Sequence, residues 1–218
     1  MKTDKTILYK YAVILAFITV FYNLAEGLIS VYFGIQDETI SLFGFGVDSF
    51  VEVISGIGIW HMLIRIKTKG EERDEFEKTA LRVTGTSFYI LTAGLIITAL
   101  YNLYIWHKPE TTFWGIVISL ISIITMSALI FFKMKVGRAL NSRALVADAN
   151  CTKTCLYLSI ILLAASVGYE LTGLGGIDSI GALLIAYFSF KEGREAFEKA
   201  RTGKNCGCED DHKKSSAD

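Results

Sequence analysis

The 218-residue chain is 52% hydrophobic and balances 22 Lys and Arg against 22 Asp and Glu, with a single Pro and no Gly/Ser/Pro-rich linker. That apolar content is high for a soluble domain, and nothing in it points to a nucleic-acid partner or a second folded domain. Two of the four cysteines lie in apolar stretches and two in a polar tail, which does not suggest a disulfide framework.

The charges collect in short stretches between long apolar runs, the pattern of a polytopic membrane protein embedded in a lipid bilayer. Crossing a ~30 Å hydrocarbon core takes about 20 helical residues. Six segments are read as crossings: 7–33, 40–64, 80–106, 112–132, 144–169 and 176–190, the last being the shortest and below that length if counted strictly. The expected fold is therefore all-α, a six-helix transmembrane domain over 1–197 followed by a polar tail over 198–218. The basic start at Lys2 to Lys10 resembles a signal peptide, but the run behind it is long and no A-x-A site follows, so it reads as a retained first helix. Tyr32, Trp60, Tyr104, Trp106 and Trp114 lie near segment ends, where an aromatic belt belongs. All Lys and Arg but Lys108 and Lys153 fall at the N-terminus, in 65–82, in 133–143 or after Phe190. That asymmetry places both termini in the cytoplasm, and the plasma membrane is the expected location.

In chain order, the first helix carries Asn23 and Glu26 on nearly one face. The second carries Asp48 and Glu52, four residues apart and so on one side of a helix, in the middle of its apolar run. At mid-bilayer each charge costs roughly 2.5–3.5 kcal/mol on insertion scales, so the pair costs about 5–7 kcal/mol before repulsion. Protons or a bound cation are the usual compensation. The mixed-charge connection 65–82 reads as a solvated loop with a helical end, and His61 as an interfacial residue. The third and fourth helices have no acid in their interiors and read as scaffold.

The fifth helix places Asp148, Cys151 and Cys155 at i, i+3 and i+7, one stripe, with Thr152 beside Asp148. Counting from the cytoplasmic ends, Glu52 and Cys155 lie at matching depth, so the two clusters can face each other. Carboxylates with thiols suit Zn²⁺ or Cd²⁺ and suit Mg²⁺ or Ca²⁺ poorly. Asp48, Glu52, Asp148, Cys151 and Cys155 are thus the candidate metal ligands, with Glu26, Asn23 and Asp178 as second-rank members of an ion path. Asp178 lies near the outer end of the sixth helix, where a carboxylate is cheaper to keep and is more naturally structural or vestibular. In the tail, Cys206, Cys208 and His212 with three neighbouring acids could capture metal, although C-x-C alone is a weak signal.

These blocks have a family resemblance. LFGFGVDSFVEVISG (42–56), SRALVADANCTKTC (142–155) and GIDSIGALLIAYFSFKEGREA (176–196) resemble the second-, fifth- and sixth-helix blocks of the cation diffusion facilitator (CDF) family. With Glu26, they resemble more narrowly a divergent, membrane-only branch lacking the cytoplasmic ferredoxin-like domain. The resemblance implies efflux of a divalent metal by proton antiport, commonly from a homodimer. It puts Asp48 and Glu52 in the second-helix ligand places and Cys151 and Cys155 in those of the fifth. Glu52 stands there for the family's Asp, the cysteines for its His or Asp and its Asp, and Asp148 is the candidate replacement ligand. The expected function is a Zn²⁺ exporter, with Cd²⁺ or another soft metal as alternative cargo. No organic cofactor and no enzymatic reaction are expected, and no G-x-x-x-x-G-K-[ST] motif suggests ATP-driven pumping. A membrane metal sensor that binds without transport is the alternative, and a channel a third reading.

Overall fold

In the computed structural model, residues 2–69 and 75–202 are described, and every regular element among them is an α-helix. The order is α1 (Lys2–Gln36), α2 (Ile40–Lys69), α3 (Glu75–Ile105), α4 (Phe113–Leu140), α5 (Arg143–Thr172) and α6 (Gly176–Thr202). Five of these, α1 to α5, are long and apolar enough to cross a membrane. In α6, Asp178 at one end and Lys191 and Glu192 at the other leave too short an uncharged stretch. The tail residues Cys206, Cys208 and His212 lie outside the described part.

The helices form a ring. α1 packs on α2, α4 on α5 and α3 on α6, and contacts of α1 with α4, α2 with α3 and α5 with α6 close it. α2 also reaches across the ring to α5 and α6. The α1–α2 seam depends on glycine: a Cβ on Gly34 would stand 2.6 Å from the Phe43 nitrogen, and one on Gly46 2.7 Å from the Val31 nitrogen. Close backbone approach through small residues is how helices associate without a hydrophobic drive between them.

The bundle buries many polar side chains and exposes many large apolar ones. α4 buries Gly115, Ser119, Ser122 and Lys133 and exposes Ile121, Ile124, Phe131 and Phe132. This distribution suits a hydrocarbon solvent, in which outward apolar side chains need no cover and inward polar ones find partners.

The connections at one end knit together. Thr39 Oγ1 donates to Thr111 O at 3.1 Å, Glu110 N to Asp37 O at 3.1 Å, and the Tyr169 hydroxyl to Pro109 O. Burial, with the Glu110 carboxylate adding to it, raises the Asp37 carboxyl above its ordinary range. Between α4 and α5 only Asn141 and Ser142 intervene. Asn141 adopts φ 56°, its N–H and that of Ser142 return to Arg138 O and Gly137 O, and Ser142 Oγ accepts from Leu145 N. The expected loop over 133–143 is therefore mostly the last turns of α4. The 65–82 connection also differs from the solvated reading in its described part: Glu77 is fully buried. Its carboxylate accepts from Arg65 Nε at 2.8 Å and Nη2 at 2.6 Å, with His61 Nδ1 at 3.2 Å, clamping α3 to α2.

Two helix N-termini are capped from a neighbouring helix. The leading N–H groups of a helix have no intrahelical partner. Asp178 of α6 meets those of α2, with Oδ2 accepting from Ile40 N at 2.8 Å and Oδ1 from Ser41 N at 3.2 Å and from the Ser41 hydroxyl. Glu170 of α5 does the same for α4, with Oε1 accepting from Thr112 N at 2.7 Å. The helix dipole favours a carboxylate at both places. Asp178→Ala strands three donors and is expected to destabilise the protein by about 2–3 kcal/mol. Thermal unfolding of the detergent-purified protein would read this, and an unchanged melting temperature would remove the cap from the account.

Candidate ion-binding site

The site forms where α2 meets α1, α5 and α6. Its centre is the contact between α2 and α5, in which the Cys155 thiol donates to Glu52 Oε1. On the other side of Glu52, Asn23 Nδ2 of α1 donates to Oε2 at 2.9 Å. Both oxygens of this carboxylate are thus engaged, each by a different helix.

Asp48 lies one turn back on α2, is 3% exposed, and accepts from Ser189 Oγ of α6 at 2.9 Å. Glu26 lies one turn along α1 from Asn23, is 6% exposed, and accepts from Tyr22 Oη at 2.9 Å and Ser49 Oγ at 3.1 Å. Hydroxyl and amide donors on neighbouring helices therefore solvate each acid in place of water. Among the described residues, no three His, Cys, Asp or Glu side chains stand close enough together to hold a metal ion.

The other two members of the α5 stripe go elsewhere. Asp148 forms an ion pair at 2.8 Å with Lys133 of α4, whose Nζ also donates to Thr152 Oγ1 at 3.1 Å. Cys151 Sγ lies 3.4 Å from Lys199 Nζ of α6. The i, i+3, i+7 spacing does set these residues on one side of α5. However, three different helices pack on that side, and the stripe is shared out among α4, α6 and α2. Asp178 sits at the far end of α6 as the α2 cap described above, away from Glu52.

The sequence reading passed over two residues here. Lys133, fully buried, falls by hydropathy in the basic connection after the fourth segment. Glu192 was left beyond the end of the sixth segment. Thr154 Oγ1 donates to Glu192 Oε1 at 2.7 Å. One signal for it was available: Ser189 and Glu192 follow Asp178 by eleven and fourteen residues, spacings that share one helix face.

Breaking a buried ion pair from one side leaves an uncompensated charge. Lys133→Met is expected to cost about 3–5 kcal/mol, and adding Asp148→Leu to recover most of it. Chemical or thermal unfolding of both variants tests this, and a Lys133→Met protein as stable as wild type would show that the pair is not holding α4 to α5.

A scan against family models matches the cation efflux transmembrane domain over residues 12–202, which takes in all of the site just described. The chain belongs to the cation efflux family, the cation diffusion facilitators, a family of membrane metal-cation transporters.

Proposed function

We propose that the protein exports a borderline-soft divalent cation, Zn²⁺ first and Cd²⁺ as an alternative, in exchange for protons. One observation carries this reading: inside a cation efflux domain, a thiol and a carboxylate from two different helices are in direct contact, with a second carboxylate one turn away. Glu52 and Cys155 would be the primary ligands, and Asp48 would join them by releasing Ser189. Thiolate and carboxylate together favour Zn²⁺ and Cd²⁺ over the hard cations Mg²⁺ and Ca²⁺.

The same contact supplies the coupling. A thiol binds metal as the thiolate, so a cation that seats between Cys155 and Glu52 displaces the proton now linking them. Protons arriving from the opposite side would restore the thiol–carboxylate contact and release the metal. Asn23 and Glu26 wall the site on α1, and Cys151 lies one turn from Cys155 toward the start of α5. Asp148 could act as a ligand only after parting from Lys133. With α6 counted as a sixth crossing, both termini would be cytoplasmic, and the expected setting is a plasma-membrane homodimer.

Flux in proteoliposomes with an imposed pH gradient tests the reading. Wild-type Zn²⁺ uptake is expected to follow the gradient, and Glu52→Gln to lower it at least about tenfold, equivalent to ~1.4 kcal/mol in the rate. Cys155→Ser should lower Cd²⁺ transport more than Zn²⁺ transport. Uptake indifferent to the gradient would contradict antiport. Binding without any flux would favour the sensor.

A further inference from the structure

We propose that Glu192 of α6 is a cation-contacting residue of this site, so that the ion path runs along α6 as well as between α2 and α5. The inference rests on the reading of the Glu52–Cys155 contact as a cation site. It extends that site to a residue of the sixth helix to which neither the sequence blocks nor the family match gives a role.

Three observations support it. First, α6 presents one polar stripe to the site, because Ser189, Glu192 and Lys199 fall at i, i+3 and i+10. Ser189 holds Asp48, Glu192 is held by Thr154, the residue next to Cys155, and Lys199 sits beside Cys151. The stripe therefore links Asp48 to Cys151. Second, Glu192 is only partly buried, as Glu52 is, whereas Asp48 is 3% and Cys155 7% exposed. A partly open acid beside two buried groups is placed to meet a cation before those two do. Third, the site already holds an oxygen without a partner. Asn23 is 2% exposed and bonds Glu52 through Nδ2, yet its Oδ1 has no hydrogen-bond partner among the described residues. A stranded acceptor costs about 1–3 kcal/mol when buried, and a cation or its bound water would satisfy it.

Glu192 does not face this group alone. Lys199 follows it on the same side of α6 and pairs with Glu195 at 3.4 Å, and Lys191 precedes it in the chain. A cation drawn to Glu192 would loosen its bond to Thr154 and come within reach of Cys155, without crossing a region free of ligands.

A tether between α5 and α6 would also place Glu192 here, so the test must read the metal itself. The full-length protein in detergent is titrated with Cd²⁺ alone, and the ultraviolet thiolate-to-Cd²⁺ absorption at one equivalent is compared between wild type and Glu192→Cys. One additional coordinating thiolate is expected in the variant. Zn²⁺ titration of Glu192→Gln should need about ten times more metal for half-saturation, with Glu192→Asp close to wild type. If Glu192→Cys adds no thiolate absorption, the proposal is overturned, whatever Glu192→Gln does. A wild-type protein that transports nothing while Glu192→Cys adds its thiolate would sink the exporter reading and leave Glu192 as a cation contact.

Discussion

A carboxylate inside a helix of membrane-spanning length has no water to solvate it, so a neighbouring helix must supply its donors. Glu26, Asp48 and Glu52 each meet that demand across a helix–helix contact, through Ser49, Ser189, and the Asn23–Cys155 pair respectively. Much of the architecture follows. α2 carries two of these acids and is the helix that touches α1, α3, α5 and α6. The glycines at 34 and 46 let α1 come close enough for Asn23 and Glu26 to serve the same site. At the α1–α2 turn, Asp178 uses the same logic with backbone donors, and there a carboxylate is an ordinary stabilising cap.

The donors around the site differ from those in the purely structural pairs. Glu77 is clamped bidentately by Arg65, and Asp148 is neutralised by Lys133, each charge being met by a full opposite charge. Among the described residues, Asp48 and Glu52 have hydroxyl, amide and thiol partners. Those partners stabilise a carboxylate less and release it more readily.

The helical class and the depth at which Glu52 meets Cys155 were legible in the sequence, because periodicity and span length are set by the bilayer. What the sequence could not show was the direction of each side chain within a shared stripe. Asp148, Cys151 and Cys155 lie on one side of α5 by spacing, but which helix each one meets depends on packing between α4, α2 and α6, and a single helix does not encode that. The helix ends were misjudged for a related reason. Hydropathy marks where hydrocarbon stops, not where the helix stops, so α4 continues past Lys133 to Leu140 and α6 past Phe190 to Thr202. Lys133 and Glu192 fall in those overruns, and both turned inward to partners that a loop would not have given them.

The central claim is that the transported cation sits on Glu52 and Cys155. Zinc K-edge X-ray absorption of the loaded full-length protein tests it most directly, read beside Cys155→Ser. The account expects a mixed shell, with sulfur at about 2.3 Å and oxygen at about 2.0–2.2 Å, and loss of a sulfur scatterer in the variant. An oxygen- and nitrogen-only shell, or a sulfur contribution unchanged by Cys155→Ser, would contradict it and place the cation elsewhere in the protein.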